Sequence, residues 1–417
     1  MFYVMVGLGV WGKKCNFGDN NKKIIDMVKK IMFLAMCLLL AASVADAKSK
    51  KGGKAAARID DAAFVADYEA IMDSLKVVGS NVVVVKDNKI IYSHSFGLKN
   101  RERGEEMTPN TIFRIASISK SFTATVIMQL VEKGKLDLKA DVNKYLDFKL
   151  RNPKYPDVPI TLEMLLSHTS SLNDSQGYWE SFDAVNPDTN PDYAKCYNDY
   201  RPGTGYEYCN YAFNIMSAVI EKVSGQRFDR YIVKHIMKPL GLKGSHCVDD
   251  LDSTRFATLY AMENGVFVPQ PQAYARPDVL DHYQMCKNTA RLSAAGGVKI
   301  TAMDLAKYML MHMNYGKSPL AKARVISEAS ARRMQTVITD DANANTEKER
   351  AGLGLMRADE FTPGTELVGH TGGAYGLRSA MFFDPVKKYG FVVITNGSGS
   401  RKVLQRSLTL MRDHFIK

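Results

Sequence analysis

The chain has 417 residues, 46% hydrophobic and 24% charged, with a formal net charge of +12. This composition supports a substantial core in one large or two modest domains, and it excludes a fully disordered, collagen-like or coiled-coil chain. Residues 1–47 carry six lysines against three aspartates, and Lys48 to Arg58 add five more positive charges, so the body is only about +4 and no nucleic-acid partner is expected.

The front of the chain reads as an export signal. Met27-Val-Lys29-Lys30 is a basic start, 31–42 is an apolar run, and Ala45-Asp46-Ala47 fits a small-x-small cleavage site. Residues 1–26 resemble no part of a signal, which makes Met27 the expected natural start. A short membrane anchor is the alternative, although the run is brief for a span. Residues 48–61 form a basic linker and 62–417 the functional domain. The expected product is periplasmic or secreted, with no stable membrane span in the mature chain. Past Ala47 four cysteines remain: Cys196, Cys209, Cys247 and Cys286. In an exported protein they can pair, and sequence proximity favours Cys196–Cys209 and Cys247–Cys286. The scattered histidines and the absence of a Cys-x-x-Cys pattern point to no metal and no cofactor.

Asp60 and Asp61 can cap a helix in which Phe64, Tyr68, Ile71 and Met72 recur at helical spacing. Two strands, Asn81–Val85 and Lys89–Phe96, follow around Lys86-Asp87-Asn88 as a hairpin, and the second ends at Gly97. Phe113 leads into a helix with Ser117 in its first turn, stopping near Gly134. Lys135–Leu146 reads as a short amphipathic connection, and Thr161 caps a helix over Leu162–Leu166. Residues 173–205 form a long functional loop. Helices follow at Tyr211–Val223, closed by Gly225, and at Phe228–Met237, ended by Pro239. A small hairpin is expected within 260–268 and a helix over Thr301–Met313; 339–349 is polar. Strands at Ser379–Phe383 and Gly390–Thr395 precede a last helix, Arg401–Phe415. Strands at both ends with helices between imply a sheet assembled from the two termini.

Three short motifs carry chemistry. Ser117-Ile-Ser-Lys120 places a hydroxyl and an amine one helical turn apart, and a serine becomes a nucleophile only when a base takes its proton. Tyr208-Cys-Asn210 adds a phenol able to exchange protons with the amine, and an amide able to bind both the lysine and a carbonyl. His370-Thr371-Gly372-Gly373 precedes the last strands. Small residues on an edge strand would let a substrate approach, a backbone N–H there could help hold an oxyanion, and His370 offers a polar or cationic group for a carboxylate. Each motif alone also has a plain reading: a surface serine, a loop tyrosine beside a capping asparagine, and a glycine turn.

Together, in this order, they resemble the serine β-lactamase and penicillin-binding superfamily. The resemblance is nearest to the class C β-lactamase-related group of DD-carboxypeptidases, D-amino-acid amidases and esterases, and runs from about residue 62 to the C-terminus. Leu165-Leu-Ser-His-Thr-Ser170, Pro239-Leu-Gly-Leu242, Ala295-Gly-Gly297 and Gly352-Leu-Gly354 match as well. The resemblance implies an α+β, transpeptidase-like fold, with an antiparallel sheet flanked by helices and an inserted helical region. It implies Ser117 as the acylated nucleophile, with Lys120 and Tyr208 as its base system. Asn210, His370, Thr371 and Gly372 would bind substrate, and the N–H groups of Ser117 and Gly373 would form the oxyanion hole. Two departures stand out. His370 replaces the lysine of many β-lactamases and is only partly charged at neutral pH, and Ser171 stands where many relatives carry glycine. The expected function is a serine acyl-hydrolase acting on an ester, a D-amino-acid peptide or amide, or a β-lactam, with a small molecule or cell-wall peptide as partner. The alternative is a penicillin-recognising binding or sensor protein with little turnover.

Overall fold

The computed structural model describes residues 62–339, 350–398 and 400–417. The signal segment, the basic linker and nearly all of 339–349 lie outside the described residues. The first helix, α1 (Ala62–Ser74), leads into β1 (Gly79–Lys86), β2 (Lys89–Asn100), β3 (Glu105–Glu106) and β4 (Ile112–Arg114). Helices α2 (Ser119–Glu132), α3 (Leu162–Leu166), α4 (Asn210–Ser224), α5 (Phe228–Ile232) and α6 (Lys238–Leu240) follow, then β5 (Tyr260–Glu263), β6 (Val266–Pro269) and β7 (Lys299–Thr301). The chain closes with α7 (Ala302–Met313), α8 (Glu328–Gln335), β8 (Arg350–Ala351), β9 (Met356–Ala358), β10 (Leu367–Ala374), β11 (Leu377–Asp384), β12 (Tyr389–Thr395) and α9 (Lys402–Phe415).

The main sheet is antiparallel throughout, in the order β3-β2-β1-β12-β11-β10-β9-β8. The first and last strands therefore meet at its centre, as the terminal placement of strands predicts. Alternation sorts the core. Val83, Val85, Met381, Val392 and Ile394 face the helical layer with α2, α4 and α7. Val82, Val84, Phe382, Phe391 and Val393 face α1 and α9 across Phe64, Tyr68 and Phe415. Both faces are covered, so the central strands are buried along nearly their whole length. The result is the expected α+β arrangement.

Several local expectations change. The β1–β2 turn uses Asp87 and Asn88, both at positive φ, as a two-residue hairpin requires. Yet β2 does not stop at Gly97. That residue has φ +65°, and a Cβ there would lie 2.5 Å from the Val78 carbonyl oxygen, so the glycine serves close approach and the strand runs on. Pro239 does not end its helix either. A π-turn over Val233–Met237 carries the chain into α6, and Gly241 at φ +66° stops it. Residues 135–146 form only a 3₁₀ turn, Val142–Tyr145. Helix α8, capped by Ser327, was not foreseen.

The four cysteines are free thiols. Cys196 points to the Ala184 carbonyl (3.3 Å), Cys209 to Asp174 (3.4 Å) and Cys286 to the Ala218 carbonyl (3.7 Å), so proximity in sequence did not become pairing.

Gly97 and Gly104 allow a direct comparison. Both have φ near +65°, but a Cβ at Gly104 would meet nothing. Gly104→Ala should cost about 1–2 kcal/mol from backbone strain alone, and Gly97→Ala about 1–3 kcal/mol more from the clash. Urea denaturation of both variants measures the difference.

Candidate active site

The site begins where β4, paired with β7, delivers the chain to a tight turn. Ala116 adopts φ +48°, a left-handed conformation that a residue with a Cβ rarely takes. Ser117 follows in a 3₁₀ turn, Ala116–Ile118, and α2 starts at Ser119. Strand β10 lies directly against this turn. A Cβ on Gly372 would sit 2.3 Å from the Ile115 carbonyl oxygen and 3.2 Å from the Ala116 Cβ. The Ser379 hydroxyl on β11 donates to that same Ile115 carbonyl (3.0 Å). Gly372 thus admits the turn that carries Ser117, whereas the sequence pattern suggested that its smallness serves substrate approach.

Lys120 is fully buried. Its Nζ donates to Ser117 Oγ (3.0 Å), Asn210 Oδ1 (2.7 Å) and the Ala295 carbonyl (3.0 Å), and lies 4.8 Å from the centre of the Tyr208 ring. Asn210 opens α4, and its amide is turned by Asp174. One carboxylate oxygen accepts from the Asn210 backbone N–H (3.0 Å) and Nδ2 (2.8 Å), and the other from the Tyr211 N–H (2.9 Å). Asp174 therefore caps α4 from a distant loop. It also commits Asn210 Oδ1 to Lys120 and one Nδ2 proton to itself. The other Nδ2 proton remains for a substrate carbonyl.

Two histidines flank Tyr208. The His168 ring stacks on it at 4.4 Å, and the Cys209 backbone N–H donates to His168 Nδ1 (3.0 Å), which places the ring proton on Nε2. Burial, then the charge of Lys120, holds the His168 pKa well below the ordinary value. His370 Nδ1 donates to the Thr371 carbonyl (2.6 Å). Burial and Lys120 push the His370 pKa down to about 4, against that hydrogen bond. His370 is thus neutral at neutral pH and supplies no cation, contrary to the expectation of a partly charged group.

The positive charge comes from elsewhere. Arg378 on β11 faces Gly373, where a Cβ would lie 2.5 Å from its Nη1. Its buried Nε has no hydrogen-bond partner among the described residues, and burial and Arg401 both lower its pKa. Arg401 pairs with the Glu360 carboxylate only at 3.9 Å. Beyond Gly369, β10 has no strand partner on its β9 side among the described residues, so His370 to Ala374 present an open edge within a strand that is not the sheet's outermost.

Two cavities meet here. One, of about 360 Å³, is lined by His168, Tyr206, His370, Thr371, Arg378 and Arg401; the other, of about 830 Å³, by Arg114, Tyr178, Trp179, Asn210 and Tyr375. Ser117, Tyr208 and Gly373 border both. The structure therefore brings together all eight residues singled out in sequence. Sequence reasoning missed His168, Asp174 and Arg378. His168 lay inside a quoted matching stretch, whereas Asp174 and Arg378 carried no local signal. Ser171 proves to be left-handed, with φ +67°, which explains a glycine preference at that position at a cost of about 1–2 kcal/mol.

Ser117 and Tyr208, both half-buried, meet the buried Lys120 amine at the junction of two cavities. The chain belongs to the Beta-lactamase family, whose model matches residues 64–414. It is 26% identical over 376 residues to esterase EstB of Burkholderia gladioli, covering 81% of this chain and 92% of that protein. The octameric penicillin-binding protein homologue from Pyrococcus abyssi superposes with a TM-score of 0.69 at 29% identity, covering 85% of this chain and 78% of that one. The D-amino acid amidase from Ochrobactrum anthropi SV3, at 20% identity and TM-score 0.62 over 84% of this chain and 99% of that one, shares the fold. The protein is a serine hydrolase of this β-lactamase-related family.

Two outcomes follow from the geometry. Asp174→Asn puts an amide against N–H donors, so the turned Asn210 loses its anchor; ester kcat/KM should fall about 10- to 100-fold with the fold intact by circular dichroism. Acid should also destabilise the protein through histidines buried in the neutral form. His168 and His246 are held well below the ordinary value, His370 near 4 and His312 near 3. Their contribution is complete above an unfolded pKa of about 6.5 and is lost as pH falls towards 4, at up to about 1.4 kcal/mol per pH unit for each. Urea unfolding at pH 7.5, 5.5 and 4.5 should track this, and His312→Leu should flatten it.

Proposed function

We propose that the protein is an exported acyl-hydrolase in which Ser117 is acylated. The supporting observation is the Lys120 ammonium bridging Ser117 Oγ and Asn210 Oδ1 at the junction of the two cavities. Ser117 Oγ attacks the substrate carbonyl, and its proton passes to Tyr208 Oη, which enters the step as the phenolate beside the Lys120 ammonium and leaves it as the phenol. The N–H groups of Ser117 and Gly373 hold the oxyanion. Collapse of the tetrahedral adduct breaks the bond to the leaving group, which takes the proton back from the same pair. Water then adds to the acyl-serine and gives its proton to the pair, and collapse of the adduct releases the acid while the pair returns that proton to Ser117 Oγ.

Substrate class follows from charge. With His370 neutral, Arg378 and Arg401 form a cationic wall beside Thr371 in the smaller cavity. Two guanidinium groups near each other with so little counter-charge suit an anion. We assign to this wall a carboxylate on the leaving portion, as in a D-amino-acid peptide or a β-lactam. Simple esters remain substrates through the shared acyl chemistry. Export rests on the basic start at Met27, the apolar run and the Ala45-Asp-Ala47 site. Among the described residues no helix is long and apolar enough to cross a membrane.

Intact-protein mass spectrometry with a penicillin and with p-nitrophenyl butyrate tests the reading. Wild type should gain a penicilloyl mass or turn penicillin over, and release nitrophenol; Ser117→Ala should do neither. Turnover by Ser117→Ala would overturn the nucleophile assignment. A stable adduct on wild type without turnover would favour the binding or sensor reading. Arg378→Met should slow penicillin acylation at least tenfold more than butyrate hydrolysis, and an equal effect on both would remove the carboxylate assignment.

A further inference from the structure

The larger cavity opens at Ser117 on the side away from Arg378, and its walls are aromatic where simple fold requirements would not make them so. Trp179 is 53% exposed, which leaves a large apolar ring facing solvent at the mouth of the site. Its neighbour Tyr178 packs edge-on against it at 4.8 Å, and the Tyr178 carbonyl accepts from Asn214 on α4, so the pair is fastened to the same helix that carries Asn210.

Tyr375 stands at the tip of the β10–β11 hairpin. The strands close at Ala374 and Leu377, so Tyr375 and Gly376 are the two turn residues, with φ +53° and +80°. A two-residue turn with both φ positive favours Asn-Gly, and a bulky aromatic at the first position is strained. The ring is nevertheless fixed there, with the Arg114 guanidinium 5.1 Å from its centre. Arg114 is itself held by the carbonyls of Gly296 (2.8 Å) and Ala273 (3.1 Å). Strain kept at the rim of a catalytic cavity points to use of the side chain.

We infer that this cavity is an aryl-selective acyl subsite, in which the acyl portion of the substrate carries an aromatic ring received by Trp179, Tyr178 and Tyr375. The inference rests on the acyl-serine reading above and deepens it by naming the acyl group. Trp179 and Tyr375 are its specificity-determining residues. Rigid aromatic walls gain contact area at little entropic cost.

The test compares kcat/KM for p-nitrophenyl phenylacetate and p-nitrophenyl acetate on the full chain. Wild type should favour the phenylacetyl ester at least tenfold. Trp179→Ala should reduce that ratio at least tenfold, and Trp179→Phe should keep it within threefold. Tyr375→Asn should lower the ratio while raising the melting temperature, because asparagine suits the turn; a purely structural tyrosine would not separate the two. A wild-type ratio near one, a ratio unmoved by Trp179→Ala, or an equal collapse in Trp179→Phe would overturn the subsite. Nitrophenol released from neither ester would overturn the hydrolase reading itself, and the subsite with it.

Discussion

A buried ammonium needs three acceptors, and much of this structure is arranged around providing them to Lys120. An ammonium removed from water without partners is far too costly to keep. Its acceptors come from three separate segments: Ser117 one turn back, Asn210 at the start of α4, and the Ala295 carbonyl ahead of β7. Each must be delivered within about 3 Å, so the relative placement of α2, α4 and the loop before β7 is tied to one atom. The same charge acts on its neighbours. Together with burial, it lowers the pKa of His168 and of His370, which leaves two uncharged rings beside Tyr208.

The sheet provides the other half of the site by bringing strand β10 unusually close to the nucleophile's turn. Gly372 is needed for that approach, and Ser379 on the next strand bonds to the same carbonyl. Because β9 pairs only with the first part of β10, the strand is braced at its start and open where it passes Ser117. A strand with an open edge beside the strained Ala116 turn that carries Ser117 is a preorganised frame, and it would need little rearrangement to receive a substrate carbonyl.

The division into two cavities gives the site direction. Ser117, Tyr208 and Gly373 stand between them, so an acyl group bound on one side and a leaving group on the other would be split at the boundary. The two sides differ in chemistry: Arg378, Arg401 and Thr371 line the smaller, whereas Tyr178, Trp179 and Tyr375 stand among arginines in the larger. Asp174 connects the halves, since it turns Asn210 towards Lys120 and belongs to the loop that carries Tyr178 and Trp179.

The residues that meet at the candidate site were legible in the chain itself, because they fall in short motifs whose spacing is local. Ser117 and Lys120 share a helical face whatever else the protein does, and Asn210 begins a helix whose periodicity is plain. A sheet assembled from the two termini was legible from the strands at both ends of the chain. What tertiary structure alone decided were effects that depend on neighbours distant in sequence. The neutrality of His370 follows from burial and Lys120, not from its own motif. Arg378 acquires meaning only when β11 pairs with β10 and puts it over Gly373. Asp174 looks like any loop aspartate until α4 is placed on it. Gly97 and Pro239 read as stops because their local preferences are strong, but close packing at one and a π-turn at the other override them. The cysteines stay unpaired, with Cys196, Cys209 and Cys286 each lying against a different acceptor. Local spacing therefore determines which groups can react, and packing determines their charge, orientation and reach.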